Sequence, residues 1–323
     1  MVAKQKIPAL HGRYFFCWVL VPGRTPCAVS ANAFGKPKIP ALGEMKVYSG
    51  PFKHIYDPSS GEINQWYIND HTIIKAPDGW HLFGITHEEP AKPQEEKQCA
   101  HAISEDLLNI PFRKLPFSFS CEESRGEHIF WAPHVICHEG IYYMFYCGGS
   151  LIDNQYRIMR ADSKDLIKWN WSEKNPMLID GFHARDPMVL RVGGKWLMYY
   201  TCTTDPLKGN YCVAAVESDD LLHWSNKKNV FIDEKTGSVG GPCESPFVVN
   251  IADWYLLFIG PRGGYVGTDV FASKNPLDFN EKNLVGHIES HAAEVILTDG
   301  KYYITHCGWG KGGVYLAPLF FEL

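Results

Sequence analysis

A chain of 323 residues, 45% hydrophobic and 21% charged, is long enough to bury a substantial core, as one large β domain or two ordinary domains. Its net charge of −5 carries no basic excess, which argues against nucleic acid as a partner, and no apolar run approaches the roughly 20 residues of a membrane-spanning helix. The 44 aromatic residues (10 Trp, 16 Tyr, 18 Phe), together with 29 Gly and 21 Pro, favour strands joined by tight turns over helices.

In chain order, the first element is leader-like. Lys4, Lys6 and Arg13 precede an apolar run from Tyr14 to Val21, and Ala31-Asn32-Ala33 follows as a small-residue cleavage signal. Those parts in that order describe a secretory signal peptide. Residues 1–45 are therefore assigned to a leader and N-terminal extension. The protein is expected to be secreted or periplasmic if this segment is cleaved and cytoplasmic if it is not. Residues 46–323 are assigned to a single catalytic domain, with the stretch from Met45 to Gln65 packing on it or closing it. The ten cysteines show no C-x-x-C spacing of the metal or redox kind. Several end aromatic runs, as in Tyr142-Tyr143-Met144-Phe145-Tyr146-Cys147, and read as buried free thiols.

From Asp78 onward the chain repeats itself. A turn followed by an apolar strand recurs at Asp78-Gly79-Trp80, Glu139-Gly140-Ile141, Gly193-Gly194-Lys195, Ala252-Asp253-Trp254 and Asp299-Gly300-Lys301, with steps of 47 to 61 residues. A second signature follows at its own regular offset: Ser104-Glu105-Asp106-Leu107, Ser163-Lys164-Asp165-Leu166, Ser218-Asp219-Asp220-Leu221, and the weaker Ser273-Lys274-Asn275-Pro276. Five copies of a unit of about 55 residues, each holding three or four strands, have the period of propeller blades. The predicted fold is all-β, a five-bladed β-propeller with blades near 66–125, 126–180, 181–238, 239–286 and 287–323.

Eight or nine positions before each turn lies the start of the strand that lines a propeller's central channel. These positions hold Asp70, Trp131, Asp186, Glu244 and His291. Each has a structural use when taken alone: a turn residue at Asn69-Asp70, an ion pair at Arg185-Asp186, a loop carboxylate at Glu244. Their shared register is what makes them a predicted site. Three carboxylates at one mouth repel one another, so at least one is expected to hold a proton above the usual range. One protonated and one ionised acid is the arrangement glycosidic cleavage requires. Tryptophan offers a flat face to a sugar ring, and Arg185 a fork of donors to its hydroxyls. The run Gly308-Trp309-Gly310-Lys311-Gly312-Gly313 matches G-x-G-x-x-G but lacks the strand-then-helix setting of a nucleotide site.

These residues resemble two known families. Trp66 to Asp70, Trp80-His81-Leu82-Phe83, Arg185-Asp186-Pro187 and Glu244-Ser245-Pro246 resemble the motif series of glycoside hydrolase family 32. Trp131-Ala132-Pro133 with Tyr142-Tyr143, and Glu244 before a Pro-Phe-Val strand, resemble family 43. The resemblance implies a five-bladed propeller with catalytic Asp70, Asp186 and Glu244. Asp70 would act as nucleophile or base, Asp186 as stabiliser of the transition state or tuner of the acid, and Glu244 as general acid. Asn69, Trp131, Arg185 and His291 would bind substrate. No cofactor is required by the chemistry, although the resemblance allows a calcium ion in the channel near His291. The implied partner is an oligo- or polysaccharide, with a terminal fructose- or arabinose-type furanoside as the unit removed. A non-catalytic sugar-binding propeller, a glycosidase for anhydro-sugars and a phosphorylase are the alternatives. His71 and Ser245 depart from the family 32 pattern, which has Pro and Cys at those places.

Overall fold

The computed structural model describes residues 42–150 and 155–322, so the leader expected in the N-terminal segment lies almost wholly outside the described residues. Within them the chain forms five antiparallel sheets of four or five strands arranged as a β-propeller. The first blade comprises Trp66–Ala76, Gly79–Glu88, Gln98–Ser104 and Arg113–Ser120. The second is Trp131–His138, Ile141–Cys147 and Arg157–Ser163, with two short outer strands, Trp169–Trp171 and Leu178–Ile179, both paired to Arg157–Ser163. The third runs through Arg185–Val192, Lys195–Thr203, Gly209–Ser218 and Lys228–Gly237, and the fourth through Glu244–Ile251, Trp254–Gly260, Thr268–Ser273 and Leu284–Ile288. The fifth is Val295–Thr298, Lys301–His306 and Val314–Glu322. Its outer strands come from the other end of the propeller: Lys46–Ser49 pairs with Val314–Glu322 from Lys46↔Glu322 to Ser49↔Leu319, and Lys53–Tyr56 pairs with the same strand. The stretch after Met45 thus closes the ring.

The continuous apolar runs follow from burial on both faces of each sheet. Successive side chains of a strand point to opposite faces. Leu256 and Phe258 pack towards the fifth blade, while Leu257 and Ile259 pack towards the third. Met198 and Tyr200 likewise face the second blade, and Leu197 and Tyr199 the fourth. The core is therefore five apolar seams, one between each pair of neighbouring blades. The seam between the fifth and first blades is completed by Ile55 and Tyr56.

The Ser-x-Asp-Leu signature proves to be the turn leading to each outer strand. Asp106 Oδ1 accepts from the backbone N–H of Leu108 (2.9 Å), Asp165 Oδ1 from Ile167 and Lys168 (2.9 and 2.8 Å), and Asp220 Oδ1 from Leu222 and His223 (2.9 and 2.8 Å). Ser163 and Ser218 Oγ accept from Leu166 and Leu221, each at 2.9 Å. In the degraded fourth copy Asn275 Oδ1 does the same for Leu277 at 3.0 Å. A short acceptor side chain satisfying the turn's own N–H groups is what Asp, Asn and Ser do best, so this repeat is structural.

Candidate active site

The inner strands of four blades carry the same irregularity, and it builds the site. In each, two residues oppose one: Asn69 and Asp70 against Ile85, Ala132 and Pro133 against Tyr146, Asp186 and Pro187 against Tyr200, Ser245 and Pro246 against Ile259. Such bulges end the regular ladder and re-aim side chains. Ala132, Asp186 and Ser245 take φ of 44°, 53° and 50°, and Ala292 in the fifth blade takes 47°. The five positions read from sequence as equivalent are therefore not one position. Trp131, Glu244 and His291, with Arg185, immediately precede the left-handed residue. Asp186 is itself that residue, and Asp70 occupies the place of the bulge proline in the next three blades. Spacing to the turn concealed the difference because the first blade's inner hairpin is one residue longer on each strand beyond its bulge, and Gly79 follows its turn whereas Gly140 and Gly194 lie within theirs.

Despite that offset, all seven sequence-predicted residues meet in one cleft of about 160 Å³ at the channel mouth: Asn69, Asp70, Trp131, Arg185, Asp186, Glu244 and His291. The acids are wired together. Arg185 is 7% exposed, and its Nη2 donates to Glu244 Oε1 at 2.5 Å while Nη1 lies 3.8 Å from Asp186 Oδ1. Asp186 Oδ2 accepts from the backbone N–H of Ser245 at 3.0 Å and lies 3.1 Å from the Thr201 hydroxyl. The Ser245 hydroxyl donates to Asp70 Oδ1. Ser245 thus joins Asp70 of the first blade to Asp186 of the third through its own hydroxyl and backbone N–H.

Electrostatics follow from this wiring. Asp70 is pushed up to about 8, first by burial and then by the Asp186 carboxylate, against the Ser245 hydrogen bond. Glu244 is raised by burial, with Arg185 opposing and Asp186 adding. Burial works against the Arg185 charge, and Asp186 and Glu244 more than offset it. The expectation that crowded acids push a proton upward is met most strongly at Asp70. Replacing Ser245 by Ala removes a hydrogen bond that stabilises ionised Asp70, so the acidic limb of a kcat/KM–pH profile is expected to move up by about one unit. A profile that superimposes on wild type would show that the hydroxyl does not tune Asp70.

His291 packs against Tyr265 with ring centroids 4.0 Å apart. Its Nδ1 lies 2.8 Å from the Tyr265 carbonyl and its Nε2 3.1 Å from Asn69 Oδ1, and burial pulls the ring down to about 4. Both nitrogens thus face protein oxygens, and calcium takes oxygen rather than nitrogen ligands. The residues thus do not fit His291 as a direct calcium ligand, and no step below is routed through one. Trp131 is buried and stacks on Tyr156 at 5.2 Å. His71 is 3% exposed, pulled down to about 3 by burial, and neither ring nitrogen has a hydrogen-bond partner.

Six lining residues were not predicted: Ile85, Pro93 and Ser245, and the linked group Glu96, Tyr265 and Trp309. Glu96 sits in the charged run Gln94-Glu95-Glu96-Lys97, which reads as a solvated face, yet it is 1% exposed. Its Oε1 accepts from the Tyr67 hydroxyl at 2.6 Å and from Trp309 Nε1 at 3.1 Å. Trp309 belongs to the glycine-rich run set aside as a nucleotide motif. Gly308, at φ 137°, lets that loop press onto its neighbours: a Cβ there would lie 2.8 Å from the Tyr265 hydroxyl. The glycines were the available signal, and they mark close backbone approach.

The fold and site together define a class: five-bladed β-propellers whose bulged inner strands gather carboxylates at the mouth of the central channel. Residues 62–293 match the glycosyl hydrolases family 32 N-terminal domain, and the chain belongs to that family. Among curated relatives, a protein of Vibrio cholerae described as "Probable sucrose-6-phosphate hydrolase" is 26% identical over 204 residues, covering 61% of this chain and 34% of its own. A 1,2-beta-oligomannan phosphorylase of Thermoanaerobacter is 28% identical over 171 residues, covering 50% of this chain and 52% of its own. The chain thus spans about a third to a half of the length of these relatives. The endo-arabinase of Bacteroides thetaiotaomicron shares the fold at a TM-score of 0.62 and 16% identity, over 79% of this chain and 94% of its own.

Proposed function

We propose that the protein is a glycosidase that removes a terminal furanoside or related sugar unit, with fructose- and arabinose-type units as the first candidates. The observation that supports this best is the joining of three carboxylates from three blades, through Ser245 and Arg185, around one aromatic-walled cleft. Glu244 gives its proton to the leaving oxygen as the bond to the anomeric carbon breaks. Asp70 supplies the new bond, either directly or by activating water, and Asp186 steadies the positive charge that develops on the ring. Burial pushes Asp70 up to about 8, so its role as nucleophile or base sets a high acidic limb.

A phosphorylase reading, prompted by one relative, finds little support. Among the described residues that line the cleft, Arg185 is the sole Lys or Arg, and it is engaged by Glu244 and Asp186. A phosphate dianion there would meet Asp70, Glu96, Asp186 and Glu244 without a free cation to balance them. A neutral sugar incurs no such penalty.

The test is a panel of nitrophenyl furanosides and pyranosides, with sucrose and arabino-oligosaccharides, assayed with wild type beside Glu244→Gln and with and without inorganic phosphate. Hydrolysis that is independent of phosphate and lost in the variant supports the proposal. Activity unchanged in Glu244→Gln removes Glu244 as the acid. Sugar binding without turnover on any substrate leaves a carbohydrate-binding propeller.

A further inference from the structure

The mouth of the channel is divided in two. The third and fourth blades bring Arg185, Asp186 and Glu244, with Asp70 of the first blade joined to them through Ser245. The opposite side, from the fifth blade through the first to the second, brings Trp309, Glu96 and Trp131. We propose that Trp309, held in place by Glu96, is the platform on which a neutral sugar ring of the substrate stacks, and that this pair selects the saccharide the cleft accepts. The inference deepens the glycosidase reading and rests on it for the identity of the substrate.

Three observations carry it. Trp309 is half-buried in the cleft wall, one side of its indole lies against Tyr265 (centroids 5.5 Å apart, planes 10° from parallel), and its N–H is taken by Glu96. With that N–H taken, what the indole has left to line the cleft is carbon, the kind of apolar surface that meets the C–H side of a sugar. Second, Glu96 is a carboxyl group held almost out of water, which is unfavourable unless its hydrogen bonds are specific. The Tyr67 hydroxyl and the Trp309 indole both donate to it, so a fixed indole is what the arrangement achieves. Third, the loop is tied to the first blade at a second point, the Gly310 N–H donating to Glu89 Oε1 at 2.6 Å, and the Trp309 N–H donates to the Tyr265 hydroxyl at 2.7 Å. The indole is thereby pre-positioned, which lowers the entropy lost when a ligand stacks on it. Glu96 acts through Trp309 and is a positioning residue.

The experiment measures binding of sucrose, arabinobiose, fructose and arabinose to Glu244→Gln by calorimetry, and steady-state kinetics in the active background on whichever panel substrate is cleaved. Trp309→Ala is expected to weaken binding of the accepted sugar about tenfold and to raise KM by a similar factor, with kcat within about threefold. Trp309→Phe keeps a ring face and is expected to stay within about threefold of its parent. Glu96→Ala should weaken binding about fivefold through loss of the fixed indole, whereas Glu96→Gln, whose amide oxygen accepts the same N–H, should restore it. Unchanged affinity in a folded Trp309→Ala overturns the proposal, as does failure of all four sugars to bind the parent. A sugar that binds the parent through Trp309 but is never cleaved by wild type leaves the platform standing and removes the glycosidase reading instead.

Discussion

Asp70→Asn is expected to lower kcat by about a thousandfold or more while stabilising the fold at neutral and alkaline pH. In the proposed mechanism the activity loss follows from removing the group that supplies the new bond at the anomeric carbon. The gain in stability comes from the same residue's surroundings. Burial and the Asp186 carboxylate raise the folded-state pKa from 3.8 to about 8, so the folded protein holds a proton the unfolded chain has released. Relative stability from this group is therefore full below about pH 4 and is lost as pH rises through the window to about 8. Asparagine has no proton to lose, and at pH 7 to 8 the variant should gain about 1–3 kcal/mol, or several degrees in Tm. Melting curves of both proteins at pH 4, 6 and 8 provide the check: the difference should be small at pH 4 and grow with pH. A difference that shrinks with rising pH, or kcat within tenfold of wild type, refutes this account of Asp70.

Arg185→Met should have the largest effect on folding. Arg185 is 7% exposed and is the cation between Asp186 and Glu244. Removing one partner of a buried pair leaves the other charge uncompensated, at about 3–5 kcal/mol, which for a domain of this size corresponds to a fall in Tm of roughly 10 °C. Since Arg185 holds the Glu244 pKa down, its loss raises Glu244 further. The Met variant should then recover stability as pH falls and Glu244 takes up a proton. Lysine restores the charge but not the planar fork, so Arg185→Lys should recover part of the stability and less of the activity. Thermal melts at pH 5 and 7.5 beside kcat/KM would decide. A Met variant as stable as wild type at both pH values excludes the ion pair as a structural element.

How much of this was legible in the sequence depended on whether a feature repeats. The blades were readable because each turn needs the same short acceptors, as at Asp165 and Asp220, and each strand needs apolar residues on both faces, as at Leu256 to Ile259. The cluster of acids was readable because bulges recur at the same height. The place of each residue within its bulge was not, since spacing counts residues along the chain while pairing is set across it; Asp70 and Asp186 looked equivalent and are not. The aromatic wall was hidden for a different reason. Glu96 sits among charges and becomes buried only when the fifth blade brings Trp309 against it, a contact between residues 213 positions apart that no local pattern encodes.

The closure of the ring by Lys46–Ser49 against Val314–Glu322 has a kinetic meaning. Four blades can form from neighbouring hairpins as each becomes available, but the fifth needs strands separated by nearly the whole propeller. Until they meet, the strand Val314–Glu322 has an unpaired edge and Val47 is missing from its apolar seam. Such a contact is slow to form because the loop entropy is lost before the pairing is gained. The platform residue Trp309 lies in the loop just before that strand, so the part of the aromatic wall it supplies depends on the same closure that pairs the propeller's first and last strands.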